Sequence, residues 1–225
     1  MTDIPSGVQG SLPEIVQNKK NLYEGDLTRY FCSAFYYAHN MNNPYHNFRH
    51  MFHVVWLCYQ AGIFYSLAPR PFRNLLIAAI FHDFDHTGLM GNDDVNIALA
   101  IRGLEKHILP EDRPHFAEIA GLVRSTEYPY KQYSEGVELL AQILRDADLA
   151  QALTPVWIQQ VVFGLAAEGR LTPAEVLKQQ KPFLSGLKLS TEWGRTLFPQ
   201  EAIDAKVAEA EELLGILESC STSPA

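Results

Sequence analysis

Histidine and aspartate side chains are concentrated in three short segments of the chain. Residues 45–50 read YHNFRH, residues 82–86 read HDFDH, and residues 146–148 read DAD. Imidazole and carboxylate groups bind divalent cations, and both can transfer protons close to neutral pH. The three segments therefore predict a metal site with acid–base chemistry, provided that the fold brings them together.

The second segment is the most informative because of what precedes it. Residues 73–81 are nearly all apolar, which predicts a helix that is buried on all sides. The polar groups that follow directly are His82, Asp83, Asp85 and His86. Burying them at the end of a core helix without partners would be costly. A divalent cation would offset this cost, because carboxylate and imidazole groups both donate electron pairs to it.

Helical spacing suggests how the segments meet. His46 and His50 are four positions apart, and the same spacing recurs at the two ends of segment 82–86, which would place each pair on one helical face. Helices carrying His50, the 82–86 segment and Asp148 could then converge on one point. Two imidazoles and two carboxylates leave coordination positions open for water, as is typical of catalytic rather than structural metal sites.

Helical signals run along nearly the whole chain, and no run of alternating β-branched residues predicts a strand. The predicted fold class is all-α, a compact single-domain helical bundle. We expect a loose arm over residues 1–12, one domain over residues 13–218 and a frayed tail over residues 219–225. The predicted helices include residues 25–40, 46–62, 73–81, 93–107, 114–125, 136–149 and 201–217.

Two further helices are predicted from their start signals. Thr154-Pro155 and Thr172-Pro173 each read as an N-cap followed by proline at the first helical position, and Glu175 completes a capping box with Thr172. The last helix has one apolar face, which consists of Ile203, Val207, Ala210, Leu213, Leu214 and Leu217. The aromatic side chains expected in the core near the start of the chain are Phe31, Phe35 and Tyr36.

Composition excludes several classes of function. The chain has 225 residues and a net charge of −8, and it has no run of lysine and arginine, which argues against nucleic-acid binding. Its 3 cysteines are far apart, which argues against a disulfide scaffold and favours a reducing compartment. We find no signal peptide and no apolar stretch long enough to cross a membrane, so we expect a cytoplasmic protein.

The three chemical segments together resemble a known superfamily. His50, His82-Asp83 and Asp148, in that order on an all-α chain, resemble the metal ligands of the HD-domain phosphohydrolases. Within that superfamily, residues 45–50 and 82–88 are similar to the two signature motifs of class I cyclic nucleotide phosphodiesterases. Residues 147–149 resemble the later metal-binding aspartate segment of that family.

The resemblance implies two divalent metal ions, whether Zn²⁺, Mg²⁺, Mn²⁺ or Fe²⁺. The implied ligands of the tighter ion are His50, His82, Asp83 and Asp148, and Asp83 would also bridge to the second ion. A water between the two ions would attack phosphorus, and His46 would protonate the leaving 3′-oxygen as general acid. The residues implied to orient ligands or waters from behind are Asp85 and His86.

The resemblance also implies a nucleotide-binding pocket. Gln180 and Phe183 have the spacing of the glutamine and phenylalanine that hold the purine in that family, and Tyr45 and Asn92 are further candidates for substrate contact. The chain departs from the family in two motif positions: His53 stands where an aspartate is usual and Thr87 where a proline is usual. It is also much shorter than the family's catalytic domains.

Some of these residues have a purely structural alternative. His46 could cap or pack in the loop after Pro44, residues 85–86 could form a salt-bridged surface turn, and Gln180 and Phe183 could pack within a helix. The residues expected to have no role at the metal are Asp146, as a solvated neighbour, His53, as a packing residue, and His107 and His115, at the surface. Asn96 is an alternative to Asn92 for substrate contact.

Four functions fit the sequence. The first is hydrolysis of a phosphodiester, above all a 3′,5′-cyclic nucleotide to the 5′-monophosphate. The others are an HD-type nucleotidase or alarmone hydrolase that releases phosphate, a di-iron HD-type oxygenase, and a nucleotide sensor without turnover. The expected partner is a small-molecule nucleotide, with no nucleic acid and no membrane, and the sequence leaves the oligomeric state open.

Overall fold

The computed structural model describes residues 10–89, 91, 93–130 and 138–221. Within these residues every regular element is a helix, which confirms the all-α prediction. The α-helices are α1 (Leu12–Val16), α2 (Thr28–Tyr37), α3 (Phe48–Phe64), α4 (Pro69–Phe81), α5 (Asp93–His107), α6 (Phe116–Arg124), α7 (Leu139–Leu149), α8 (Phe163–Gly169), α9 (Pro173–Gly186), α10 (Glu192–Leu197) and α11 (Gln200–Ser221). Asn92 lies outside the described residues, as do residues 1–9 and 222–225.

Helix α4 is the central element of the larger core. It packs against α2, α3, α5, α6 and α7, and every residue of Phe72–Phe81 is buried. The apolar run predicted this burial, because a helix without a polar face must be covered on all sides. The consequence for the site is that His82, the residue after this helix, is fixed in position deep in the protein.

The second half of the chain forms a smaller core. Helix α9 packs on α11 and on α8, and this core includes the fully buried Trp157. The predicted capping box at the start of α9 is confirmed, because Thr172 and Glu175 accept each other's backbone N–H groups. The apolar face of α11 is covered at Ile203 and Ala210, whereas Leu217 at its far end is 45% exposed.

The segment between α7 and α8 differs from the prediction. No helix begins at Thr154-Pro155, because the Thr154 hydroxyl donates back to the carbonyl of Gln151 (2.8 Å) and thereby closes the preceding 3₁₀ turn, Ala150–Leu153. The chain then forms a π-helical turn, Ile158–Val162, which continues directly into α8. Thr154, the predicted N-cap, therefore ends the 3₁₀ turn and does not cap the helix that follows.

Two other predictions of packing are wrong. Phe35 and Tyr36 are 51% and 74% exposed, so this aromatic cluster is only partly core, with Phe31 as its more buried member. His46 and His50 do not share a helical face, because Asn47 caps α3 with its side chain and leaves His46 in the preceding turn. Similarly, α4 ends before segment 82–86, which forms a turn.

Among the described residues, no single helix has both the length and the hydropathy of a membrane-spanning helix. One pair of segments bent by 100°, Leu139–Leu153 and Ile158–Gly169, meets the criterion only when the two are taken together.

Candidate metal centre and adjoining cavity

Three helices bring the predicted metal ligands together. His50 lies in the first turn of α3, His82 follows the last residue of α4, and Asp148 lies in the last turn of α7. The Nε2 atom of His50 is 3.0 Å from Oδ1 of Asp148 and 3.3 Å from Nε2 of His82. The ligand atoms of all three residues lie within 4.8 Å of one another, which is close enough to hold one metal ion.

Hydrogen bonds on the far side of each imidazole assign its tautomer. The Nδ1 atom of His50 lies 3.0 Å from Oε1 of Gln151, and Nδ1 of His82 lies 2.8 Å from the carbonyl oxygen of Ala79. Because both partners are acceptors, each Nδ1 carries the proton. The lone pair of each Nε2 therefore points toward the other imidazole and toward Asp148, which is the orientation that a metal ligand needs.

Asp83 supplies the second carboxylate. Its Oδ2 atom is buried and has no hydrogen-bond partner among the described residues, although it lies 3.3 Å from Nε2 of both His50 and His82. Two imidazole lone pairs and two carboxylates facing one another require a positive charge between them. These residues therefore fit a divalent cation, which binds carboxylate oxygen and imidazole nitrogen together.

The pKa directions agree with this requirement. Burial alone would lower the pKa of His50, but the carboxylates of Asp148 and Asp83 beside its Nε2 atom outweigh burial and raise it to about 9. Burial would raise the pKa of Asp83, but the charges of His82 and His46 hold it well below its usual value. In the absence of a metal, protons on the imidazoles supply the positive charge, so a cation must displace them to bind.

A second cluster lies beside the first and contains a residue that the sequence prediction missed. Glu168 of α8 accepts the backbone N–H groups of Tyr45 (2.9 Å) and His46 (3.1 Å) with one oxygen, and its other oxygen accepts a hydrogen bond from Nδ1 of His46. Glu168 thus fixes the ring of His46 and can stabilise it when it is protonated.

His86 supports His46 from the other side. The two rings stack with their centroids 3.6 Å apart. Nδ1 of His86 accepts the backbone N–H of Gly88 (3.0 Å), and Nε2 lies 2.9 Å from the side-chain amide nitrogen of Asn96. Burial and the neighbouring His46 lower the pKa of His86 to about 4, so it is neutral near pH 7.

Asp85 lies in the same turn but bonds away from the metal ligands. Its Oδ1 accepts the backbone N–H of His39 (2.7 Å) and contacts Nδ1 of the same residue (3.0 Å). Its backbone has a positive φ of 63°, which bends the chain out of the helical path. Asp85 therefore fixes the turn rather than the ligand atoms.

A cavity of about 220 Å³ opens onto both clusters. The residues of the two clusters and their neighbour that line this cavity are Tyr45, His46, His82, Asp83, His86 and Asp148. Gln180 and Phe183 of α9 line the same cavity. Oε1 of the buried Gln180 has no hydrogen-bond partner among the described residues. Asn96 also lines this cavity, at the start of α5.

The remaining histidines lie away from the ligands. His53 is half-buried beside Trp56, and desolvation lowers its pKa to about 4. His107 stacks on Tyr37, and His115 lies near Glu118. In the described part of the chain, none of the three belongs to the group of His50, His82 and Asp148 or to the neighbouring group of His46, His86 and Glu168.

Asp146 is buried, not solvated as expected. It accepts the backbone N–H groups of Ser190 and Thr191 and the hydroxyl of Thr191, at 2.7–2.9 Å. Because its oxygens already have these partners, Asp146 attaches the segment before α10 to α7 and is not available as a ligand.

Comparison with known proteins gives a partial match. A segment of 83 residues, 34% of this chain, is 34% identical to part of the high affinity cGMP-specific 3′,5′-cyclic phosphodiesterase 9A of Mus musculus. The protein of the same name from Homo sapiens is 32% identical over the same length. Over this part, the chain resembles a cyclic nucleotide phosphodiesterase. The match covers 15% of the mouse protein and 14% of the human one. No known family description matches the chain.

Proposed function

We propose that this chain is a metal-dependent phosphodiesterase of the HD type that hydrolyses a 3′,5′-cyclic nucleotide to the 5′-monophosphate. The observation that carries the proposal is the convergence of His50, His82, Asp83 and Asp148 beside the pair of His46 and Glu168. The first set fits a cation, and the second fits a proton donor. The partial similarity to cGMP-specific phosphodiesterases supports the same reaction class.

Two divalent cations held around Asp83 would supply a Lewis acid for the phosphoryl oxygens and would lower the pKa of a bound water. The chain must do the rest. His50 and His82 hold their ligand nitrogens in place through Gln151 and the carbonyl of Ala79. Both imidazoles are buried, so electrostatic contacts to them act at greater strength than in bulk water.

His46 would protonate the leaving 3′-oxygen. Glu168 accepts a hydrogen bond from Nδ1 of His46, so the Nε2 atom of His46 remains for proton transfer to the substrate. The carboxylate also stabilises the imidazolium before that transfer. The hydrogen bonds from the backbone N–H groups of Tyr45 and His46 to Glu168 hold this loop in place beside the cavity. His86, neutral and stacked on the ring, keeps the imidazole plane fixed.

Gln180 and Phe183 are the proposed base-binding residues. Oε1 of Gln180 has no partner among the residues that the structure describes and could accept a hydrogen bond from a base edge, and the ring of Phe183 lines the same cavity. Since an amide can present donor and acceptor in either order by rotating, Gln180 does not by itself select adenine or guanine. The proposed partner is therefore a purine nucleotide, and the proposed location is the cytoplasm.

Elemental analysis of purified protein, followed by a substrate screen with Mn²⁺ or Mg²⁺, tests the proposal. We expect bound divalent metal and conversion of a cyclic nucleotide to its monophosphate without free phosphate. Release of free phosphate from a monophosphate or an alarmone would contradict the phosphodiesterase proposal and would indicate a nucleotidase or alarmone hydrolase. Iron with oxygen consumption would indicate an oxygenase, and nucleotide binding without turnover would indicate a sensor.

The variant His46→Ala separates the two clusters. It should keep the metal content of the wild type and lose turnover by about 100- to 10,000-fold, the usual contribution of a general acid. The exposed Asp94→Asn, on the neighbouring helix α5, is the matched control and should change neither. An unchanged rate of His46→Ala on a cyclic nucleotide would contradict the general-acid role.

A further inference from the structure

Asn40 is a buried amide that belongs to none of the metal-ligand segments. It lies in a 3₁₀ turn, His39–Asn42, and is 1% exposed. Its Nδ2 atom donates to the backbone carbonyls of His46 (2.7 Å) and Asp83 (2.9 Å). Its Oδ1 atom accepts the backbone N–H of Asp85 (3.1 Å). Both amide hydrogens and the amide oxygen are therefore used.

These three hydrogen bonds join the loop that contains His46 to the turn that contains Asp83 and Asp85. Among the described backbone hydrogen bonds outside the helices, none connects residues 43–47 with residues 82–86. Asn43 adds a second side-chain connection, because its Nδ2 donates to the carbonyl of His86 (2.9 Å). The loop that carries the proton donor and the turn that carries a metal ligand are thus held together by side-chain amides.

The chemistry of the position favours asparagine. Two partly buried carbonyls need donors and one partly buried N–H needs an acceptor, and a single short amide supplies all three. A carboxylate of the same size could only accept, and an aliphatic side chain would leave all three backbone groups without these partners.

We propose that Asn40 is a positioning residue that sets the distance between His46 and the metal ligand Asp83. The inference rests on the proposed function, since it assigns Asn40 to the step in which the leaving oxygen is protonated. Catalytic geometry is sensitive at this scale, because a displacement of about 1 Å can reduce the rate by about 100-fold.

Two substrates with different leaving groups test the proposal. A cyclic nucleotide releases a basic alkoxide that needs a proton, whereas bis(4-nitrophenyl) phosphate releases a phenolate that does not. In Asn40→Ala we expect kcat for the cyclic nucleotide to fall about 10- to 100-fold, with KM and the bis(4-nitrophenyl) phosphate rate little changed. His46→Ala should show the same selectivity, and the exposed Asn42→Ala, in the same turn, should match the wild type.

Equal losses on both substrates, or no loss on either, would overturn the assignment. If Asn40→Ala does not fold, Asn40→Ser, which keeps a donor and an acceptor at smaller volume, replaces it with the same expected selectivity. If the wild type cleaves both phosphodiesters and the Asn40 variants keep its ratio of rates, this inference fails while the proposed function stands.

Hydrogen exchange of the metal-free protein gives a readout that needs no activity. In the Asn40 variant, peptides covering residues 43–47 and 83–86 should exchange faster, while peptides from α9 should not change. If the wild type hydrolyses no phosphodiester, the proposed function fails, and this exchange pattern still decides whether Asn40 joins the two segments. Unchanged exchange in both peptides would exclude it.

Discussion

Helix α4 has a buried ionic cluster near each end, and the two clusters are built differently. Near its start, Arg73 donates to both oxygens of Asp112 (2.8 and 2.7 Å) and to the carbonyls of Glu24 and Asp26 (both 2.7 Å). The hydroxyl of Tyr30 also donates to Asp112 (2.7 Å). Every charge in this cluster has a partner.

The cluster at the other end of α4 lacks such pairing. Oxygen atoms of Asp83 and Asp148 share the Nε2 atoms of two imidazoles, and Oδ2 of Asp83 has no hydrogen bond among the described residues. Complete pairing at one end indicates a structural role, and the surplus of acceptors at the other indicates a site for a cation. Burial of charge is common to both, so pairing is the property that distinguishes them.

The strongest test of this distinction is removal of Asp83. Asp83→Ala should lose bound metal and activity together, because this carboxylate is the proposed ligand of both ions. Metal content by elemental analysis and turnover of a cyclic nucleotide measure the two effects, and circular dichroism checks that the variant is folded. A variant that retained metal and activity would show that Asp83 is an ordinary buried carboxylate.

A change in the cluster of Arg73 and Asp112 should instead lower the unfolding free energy. Arg73→Met leaves Asp112 buried without its main partner, which should cost about 3–5 kcal/mol of unfolding free energy, as measured by urea denaturation. Replacing Asp112 by leucine in the same variant should recover part of this loss. Metal content per folded molecule should stay at the wild-type level, and a parallel loss of metal would mean that the two clusters are coupled.

A smaller effect is expected where one contact orients one ligand. Gln151→Leu removes the acceptor for Nδ1 of His50 and should weaken metal affinity by about 10- to 100-fold, the usual effect of losing such a partner. Titration of the metal-free protein with Co²⁺, followed by its visible spectrum, measures this affinity. The exposed Gln179→Leu is the control. Equal affinities for both variants would show that His50 needs no such support.

The smallest expected effect is on acid stability. Burial alone would raise the pKa of Asp112, but hydrogen bonds from Arg73, Tyr30 and Arg70 hold it below its usual value. As pH falls below about 3.9, the unfolded chain therefore binds a proton at this position before the folded one does, and the unfolding free energy decreases. Asp112→Asn should show a shallower decrease over this range, and an identical slope would contradict the contribution of Asp112.

The sequence was sufficient to predict that His50, His82 and Asp148 meet, because each lies in one of the three segments rich in histidine and aspartate. The apolar run of 73–81 predicted a buried helix, so the position of His82 and Asp83 at its end followed. The pairing of His46 with Glu168 could not be predicted, because the two are 122 positions apart and Glu168 is a single acid in an otherwise apolar stretch. Gln151 and Asn40 were missed because a single amide outside the three segments carries no sequence signal of the groups that it contacts.

The helical-face argument failed for a local reason. Equal spacing of His46 and His50 implied a shared face only if one helix held both, and the side chain of Asn47 ends that possibility by capping α3. The rings of His46 and His86 meet by stacking across two turns instead. The spacing therefore predicted that these side chains meet, but by a partly wrong geometry.

The π-helical turn Ile158–Val162 makes the number of residues before Glu168 as important as their identity. Such a turn holds one residue more than the α-helical turn that it replaces, and each residue rotates a helix by about 100°. Loss of a single residue here would restore a regular helix and would turn the carboxylate of Glu168 away from His46. A deletion that leaves every catalytic side chain intact would in this way uncouple the proton donor from its carboxylate.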